Sequence, residues 1–119
     1  MTADGGTDCL FCRIVAREIP AEIVAESPEA VAVRDIAPVA PLHVLIIPKR
    51  HVDDATHLAG GDDKLLGGML ALANTVARDH GVDQGGFRLV FNVGDDAGNT
   101  VAHLHLHVIG GRALAWPPG

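Results

Sequence analysis

Three histidines alternate with aliphatic residues near the end of the chain, in the run His103-Leu104-His105-Leu106-His107-Val108. Successive side chains of a β-strand point to opposite faces, so this run predicts three imidazoles on one face and three aliphatic side chains on the other. Imidazole can act as a nucleophile, acid, base or metal ligand near neutral pH. The run therefore predicts a strand that buries one face and offers reactive groups on the other.

Two cysteines form a second group of reactive residues, Cys9 and Cys12, separated by two residues. Such a pair is a weak signal when taken alone, because it fits a redox motif, half of a metal site or chance. The flanks expected of a thioredoxin-like redox motif are missing. The three alternating histidines could themselves hold a catalytic zinc ion. At this point a metal site and nucleophilic chemistry are both open.

Length and composition narrow the classes of protein to which the chain can belong. Its 119 residues, 48% of them hydrophobic and 20% charged, predict one globular domain. A net charge of −6 and an aromatic content of 3% argue against a nucleic-acid partner. We see no apolar run of transmembrane length and no signal peptide, so we expect a cytoplasmic protein without a membrane partner. Residues 1–8 are expected to be a flexible tail before a single domain over residues 9–119.

The reactive residues must be positioned by the elements that the sequence predicts around them. Asp8 could cap a short helix that ends near Ala16, and Asp62 or Asp63 begins a long helix that Gly81 closes. Strands are predicted over residues 22–26, 30–35, 42–47, 87–93 and 100–109. Short connections favour antiparallel pairing. The predicted fold is α+β: a mainly antiparallel sheet of about five strands, a short N-terminal helix and one long helix.

With these elements in place, the chain resembles the histidine triad (HIT) family, whose diagnostic pattern alternates three histidines with aliphatic residues. Further family-like segments are Phe11 through Ile19-Pro20, Asp35-Ile36-Ala37-Pro38, Pro41 through His51, Asn92 with the glycine-rich loop after it, and Gly110 through Gly119. The ending Trp116-Pro117-Pro118-Gly119 is characteristic of the Hint branch, the nucleoside phosphoramidases. The resemblance covers nearly the whole chain from Cys9 onward.

The resemblance implies cleavage of a purine nucleotide, such as an AMP derivative, at its α-phosphate through a nucleotidyl-histidine intermediate. His105 would be the nucleophile, His107 a donor to a phosphoryl oxygen, His43 an orienting residue, and His103 the first triad histidine. Asp35 would bind the ribose hydroxyls. The other implied substrate-binding residues are apolar base contacts, phosphate contacts and a C-terminal indole: Phe11, Ile14, Ile19, Ile36, Leu45, Asn92, Gly98, Asn99, Thr100 and Trp116. Asn99 and Thr100 stand where the family usually has glutamine and serine, which could shift the preference for the leaving group.

The resemblance also implies a structural zinc ion and a homodimer. The zinc ligands would be Cys9, Cys12, His51 and His103, and no catalytic metal would be required. The dimer would join two sheets edge to edge, with Trp116 and the C-terminal tail reaching toward the partner's site. His57 has no role in this scheme and is interpreted as a solvated loop histidine.

Other functions stay open at this point. The same nucleophile could serve a dinucleoside polyphosphate hydrolase of the related Fhit branch, although the Trp-Pro-Pro-Gly ending argues against it. The chain could be a regulatory module that binds a nucleotide or zinc without a need for turnover. A hydrolytic metalloenzyme with all three triad histidines on one metal would leave Cys9 and Cys12 without a role.

Overall fold

The computed structural model describes residues 9–119, so the predicted tail and the predicted cap Asp8 lie outside the described residues. Its centre is one five-stranded antiparallel sheet in the spatial order β1-β2-β3-β5-β4. The strands are β1 (Ile23–Glu26), β2 (Ala30–Arg34), β3 (Leu42–Pro48), β4 (Phe87–Val90) and β5 (Leu106–Gly110). Two α-helices accompany them, α1 (Leu10–Val15) and α2 (Asp63–Asp79). The predicted α+β fold is confirmed.

Strand β3 lies in the middle of the sheet and is buried along its whole length. Its near-continuous apolar sequence suits this place, because both of its faces are covered. The register sets Leu45 opposite Val33 of β2 and His107 of β5. His43 lies two residues from Leu45 on the same face, so the alternation of β3 brings His43 and His107 to one side of the sheet.

Helix α2 covers the opposite side of the sheet. It buries Met69, Leu72, Ala73, Val76 and Ala77 against a core that includes Val44, Ile46, Leu106 and Val108. A Cβ atom at Gly68 would lie 2.7 Å from Oε1 of Glu29, so a larger residue there would displace that side chain. The helix begins where it was predicted to begin, and Gly81 takes a left-handed φ of +75° just beyond its last turn. Among the described residues, no helix is both long enough and apolar enough to cross a membrane.

The short helix α1 packs on the side of the sheet that carries His43 and His107. Its N-cap is Cys9, whose Sγ accepts a hydrogen bond from the backbone N–H of Cys12 at 3.1 Å. A second apolar cluster lies here and contains Cys9, Phe11, Ile14, Val31, Val33, Leu45 and Ile47. The two cysteines are thereby fixed beside the histidine-bearing face.

The histidine strand is shorter than predicted, because β5 begins only at Leu106 and leaves His103 and His105 before it. The N–H of Leu104 donates to the carbonyl of Val52 at 2.6 Å, outside the sheet ladder, and β3 ends at Pro48. Burial nevertheless alternates from Leu104 onward, so His105 and His107 stay half-buried between buried aliphatic residues. Strand β4 also ends early, at Val90 instead of Val93.

Candidate active site and the cysteine–histidine cluster

The central histidine of the triad, His105, has its proton position fixed by the backbone. Its Nδ1 lies 2.7 Å from the carbonyl oxygen of His103, which can only accept. Nδ1 therefore carries the proton and donates it. In the neutral imidazole this leaves the lone pair on Nε2, which is the state that an imidazole nucleophile requires.

The neighbouring pair His43 and His107 is oriented by a second backbone group. The N–H of Val39 donates to Nδ1 of His43 at 3.2 Å, so the proton of neutral His43 resides on Nε2. That Nε2–H donates to Nδ1 of His107 at 2.9 Å. Oδ2 of Asp35 lies 3.4 Å from Nε2 of His43. His107 consequently carries its own proton on Nε2. One amide thus sets the tautomers of two histidines in sequence.

Burial lowers the pKa of His107, charge repulsion from the imidazoles of His105 and His43 adds to this, and together these effects bring the pKa to about 4. His107 is therefore neutral at pH 7. Its ring lies 5.1 Å from that of His105, measured between centroids. A neutral donor thus stands next to a nitrogen with an available lone pair.

A largely apolar cleft adjoins these histidines. It has a volume of about 520 Å³, which falls within the range of small-molecule sites. The ring of Phe11, in its wall, lies edge-on to that of His105 with centroids 5.0 Å apart. The cleft brings together seven of the predicted substrate-binding residues: Phe11, Ile14, Ile19, Asp35, Ile36, Leu45 and Thr100. Ile36, which also lines the cleft, is fully exposed.

Four other predicted substrate-binding residues are not part of the wall of this cleft. Asn92 follows β4 and is half-buried. Gly98 takes a φ of +82° in the loop before the triad, and the side chain of Asn99 accepts from the N–H of Val101 at 3.3 Å. Trp116 is 80% exposed, although Arg88 anchors the tail by donating to the carbonyl of Ala115. Within the described chain, the indole therefore stands away from the cleft.

The two cysteines meet two histidines in a second cluster. Sγ of Cys9 lies 3.1 Å from Nδ1 of His103, and Sγ of Cys12 lies 3.2 Å from Nδ1 of His51. The two Nδ1 atoms are 3.1 Å apart. One ligand atom from each of the four residues falls within 4.8 Å of all the others. We call this set the Cys–His cluster: Cys9, Cys12, His51 and His103.

The outer nitrogens of both cluster histidines face oxygen acceptors. Nε2–H of His103 donates to the carbonyl of Pro48 at 2.9 Å, and Nε2–H of His51 donates to Oδ1 of Asp53 at 2.7 Å. In its neutral form each ring would therefore direct an Nδ1 lone pair inward, toward two thiols whose protons a metal ion can displace. Burial lowers the pKa of the fully buried His103 to about 4, which keeps its lone pair available. Two thiolates and two imidazoles fit tetrahedral zinc.

The triad histidines do not converge on one metal position in the part of the chain that the structure describes. His103 belongs to the Cys–His cluster, and His107 groups with His43 and Asp35 instead. The hydrogen bond from Val39 accounts for that second group without an ion, because it leaves His43 as a donor to His107. The arrangement argues against the metalloenzyme alternative.

Three partners of these histidines were not predicted from the sequence: the amide of Val39, the carbonyl of Pro48 and the carboxylate of Asp53. The spacing His51-x-Asp53 was an available signal for the last of them. His57, which has no role in the predicted scheme, is exposed and hydrogen-bonds Asp54 at 3.0 Å, and this contact raises the pKa of His57. It lies in a second cavity that also contains Asn99 and Thr100.

Known proteins resemble this chain over almost its full length. Residues 16–114 match the family model described as HIT domain. A protein of Synechocystis sp. described as an uncharacterized HIT-like protein is 49% identical, over 94% of this chain and 97% of its own. The crystal structure of a HIT family hydrolase from Legionella pneumophila is 47% identical with a TM-score of 0.91, covering 93% of this chain and 99% of that one. A HIT family hydrolase from Clostridium thermocellum is 41% identical with a TM-score of 0.88, covering 92% and 95%.

Proposed function

Because the chain belongs to the HIT domain family, we propose that it is a hydrolase of purine nucleoside phosphoramidates that cleaves at the α-phosphate. The observation that carries this proposal is the hydrogen bond from Nδ1–H of His105 to the carbonyl of His103. It leaves the lone pair of neutral His105 on Nε2. His105 lies just before β5 and contacts Phe11, which lines the apolar cleft. The HIT family hydrolases among the similar structures support a hydrolytic activity.

In the first chemical step, Nε2 of His105 forms a bond to the α-phosphorus while the bond from phosphorus to the substrate nitrogen breaks. The departing nitrogen takes the electron pair of that bond and gains a proton, so that it leaves as an amine. In the second step a water oxygen bonds to phosphorus and releases a proton, which balances the one taken up by the amine, and the bond from phosphorus to Nε2 breaks with its electron pair returning to His105. The products are a nucleoside 5′-monophosphate and the free histidine.

The charge that develops on the phosphoryl oxygens requires fixed donors. Nε2–H of His107 supplies one, because the amide of Val39 and the ring of His43 hold the other nitrogen of His107 as an acceptor. Asn92 and the amides of Gly98, Asn99 and Thr100 are proposed as further contacts to these oxygens. Such backbone donors cost no reorganisation during the reaction.

The nucleoside is proposed to occupy the apolar cleft, with Asp35 binding the ribose hydroxyls and the base lying among the aliphatic side chains. Oδ1 of Asp35 already accepts from the N–H of Ala37 at 2.8 Å, which fixes the carboxylate in the cleft wall. The exposed Ile36 provides an apolar surface that a base would cover. We further propose a homodimer in which the exposed Trp116 reaches the partner's cleft.

The Cys–His cluster is proposed to hold a structural zinc ion on Cys9, Cys12, His51 and His103. A zinc ion bound there would have a complete set of protein ligands and would supply stability instead of a Lewis acid for the reaction. We also propose that residues 9–119 form the single functional domain and that the protein acts in the cytoplasm.

Substitution of the nucleophile tests the proposal. His105→Ala should lower the kcat for adenosine 5′-phosphoramidate by roughly a thousandfold or more, because the nucleophile acts in the chemical step. The affinity for AMP, measured by calorimetry, should stay within a few-fold. His80→Ala is the control, since His80 lies at the end of α2, where its Nδ1 contacts the carbonyl of Val76 and its Nε2 lies 3.4 Å from the guanidinium of Arg34, outside the triad. Retention of most of the rate in His105→Ala would refute the assignment.

A comparison of substrates tests the class of reaction. At equal concentrations, the wild-type protein should cleave adenosine 5′-phosphoramidate in strong preference to diadenosine triphosphate. Preference for the dinucleotide would place the chain with the dinucleoside polyphosphate hydrolases. Cleavage of neither, with AMP still bound, would favour a regulatory module.

A further inference from the structure

Phe11 differs from the other apolar residues of the cleft because its ring contacts two triad histidines. Its centroid lies 5.0 Å from that of His105 at an interplanar angle of 87°, and 6.0 Å from that of His103 at 69°. Phe11 is buried, so these edge-to-face contacts belong to a packed interior. In the chain it stands between two members of the Cys–His cluster, Cys9 and Cys12.

His103 makes a second connection between the Cys–His cluster and His105. Its imidazole is fully buried among the two cysteines and the carbonyl of Pro48. Its own carbonyl oxygen accepts the proton of Nδ1 of His105. His105 is therefore connected to the Cys–His cluster in two ways: through the ring of Phe11, which lies between Cys9 and Cys12 in the chain, and through the carbonyl of His103.

We propose that Phe11 is a positioning residue for the nucleophile and that the Cys–His cluster holds Phe11 and His103 in place for this purpose. The inference rests on the proposed function, in which His105 attacks phosphorus. An imidazole can rotate about its side-chain torsions unless neighbours block it. The perpendicular ring of Phe11 blocks one rotation of His105, and the carbonyl of His103 selects its tautomer. A metal ion in the cluster would join α1 to residue 103 and fix both contacts together.

Two simpler roles for Phe11 make different predictions. A residue that only contacts the base would change the KM and the affinity for AMP while leaving kcat in place. A residue that only fills the core would lower stability, and turnover by the folded protein would stay the same. A positioning residue lowers kcat with little change in KM, and it also changes the state of the His105 ring in the free protein.

The test compares Phe11→Leu with Val31→Ala, both studied as the zinc-loaded protein. Val31 is fully buried in the same apolar cluster but lies in β2, outside the proposed machinery. Phe11→Leu should lower the kcat for adenosine 5′-phosphoramidate roughly tenfold to a hundredfold, the size expected for a misplaced reacting group. Its KM should stay within twofold and its zinc content should be unchanged. Val31→Ala should lose stability and keep its kcat.

A second measurement determines the tautomer of the His105 ring in the absence of substrate. In long-range ¹H–¹⁵N spectra, the wild-type protein should show His105 protonated on Nδ1. Phe11→Leu should show a mixture of both tautomers, and so should the wild-type protein after zinc is removed by a chelator. Unchanged His105 signals in both samples would overturn the proposal, as would a change in KM alone. The spectra need no turnover. If the protein cleaves no phosphoramidate, the proposed function is refuted, but the spectra still test whether Phe11 and the Cys–His cluster position His105.

Discussion

The structure contains two pairs of close histidines that differ in what faces their outer nitrogens. In the Cys–His cluster, Nε2–H of His51 and of His103 donates outward to oxygens, and the two Nδ1 lone pairs face inward. In the proposed catalytic pair, His43 and His107, the outer nitrogen of His43 faces the N–H of Val39, so the inner Nε2 carries a proton and donates it to His107. One pair is arranged as ligands, and the other is already joined by a hydrogen bond.

This difference shows that residue type alone does not decide what a histidine does. An acceptor beside one ring nitrogen leaves the lone pair on the other nitrogen, as in His103, the proposed metal ligand, and His105, the proposed nucleophile. A donor next to one ring nitrogen places the proton of the neutral ring on the other nitrogen, which then donates a hydrogen bond, as in His43. The backbone partners therefore separate the metal cluster from the catalytic pair.

The difference between the two pairs can be tested by substitution. Loss of a thiol from the Cys–His cluster should have the largest effect, on both zinc content and stability. Cys9→Ser should lower zinc content and stability together, because metal binding free energy contributes to folding. We expect the free energy of unfolding to fall by roughly 3 kcal/mol or more, or more than about 10 °C in melting temperature. Inductively coupled plasma mass spectrometry and thermal unfolding measure the two quantities.

The matched control for this change is a chelator applied to the wild-type protein. It should reproduce the loss of stability seen in Cys9→Ser, and it should have little further effect on the variant. Equal melting temperatures of the wild-type protein and Cys9→Ser, with no zinc in either, would show that the thiols are ordinary buried groups. In that case His51 and His103 would not be metal ligands, and metal binding would not distinguish them from His43 and His107.

Removal of His43 from the proposed catalytic pair should have the next largest effect. His43→Ala takes the acceptor from the N–H of Val39 and the donor from Nδ1 of His107, so His107 is free to adopt the other tautomer. We expect the kcat for the phosphoramidate to fall roughly a hundredfold, as for a misoriented catalytic group. Zinc content should stay at the wild-type value, because the Cys–His cluster does not include His43. A kcat within twofold of wild type would show that the tautomer of His107 is set elsewhere.

The sequence predicted those features that depend on short-range pattern. Helix α2 was predicted to begin at Asp62 or Asp63 and begins at Asp63, because its apolar residues recur at helical spacing and a glycine follows its end. Strand β3 was predicted one residue short of its observed end, from a nearly continuous apolar run bounded by prolines. Residue type and spacing marked Cys9, Cys12 and the triad histidines as possible metal ligands, but only the resemblance to a family joined Cys9, Cys12 and His103 with His51 in one site.

The features that the sequence did not predict depend on contacts between distant segments. Strand β5 begins only at Leu106, after His103 and His105, and the N–H of Leu104 donates to the carbonyl of Val52 outside the sheet ladder. Nothing in the local sequence pattern predicts this contact. The tautomers of His43 and His105 are set by backbone groups, which look the same at every position of a sequence. Phe11 was predicted as a base contact, and only the structure reveals its ring contacts to histidines.

The smallest effect is expected from pH, and it sharpens the comparison through His107. Its pKa is about 4 in the folded protein, against about 6.5 in an unfolded chain. Between these values the unfolded chain binds a proton at this position and the folded chain does not, so acidification from pH 6.5 toward pH 4 favours unfolding. We expect the unfolding free energy of the wild-type protein to fall more steeply over this interval than that of His107→Asn. The ring keeps some contact with solvent, which reduces the difference.

Urea unfolding at pH 6.5, 5.5 and 4.5 measures this difference in slope. Acid also releases metal from the Cys–His cluster, but both proteins share that loss, so subtracting one curve from the other isolates His107. Parallel curves would mean that His107 takes up its proton at the same pH in the folded and the unfolded chain. The donor that the catalytic pair presents to a phosphoryl oxygen would then be a cationic ring below neutral pH. In that case charge, and not the tautomer set by Val39, would distinguish the catalytic pair from the metal pair.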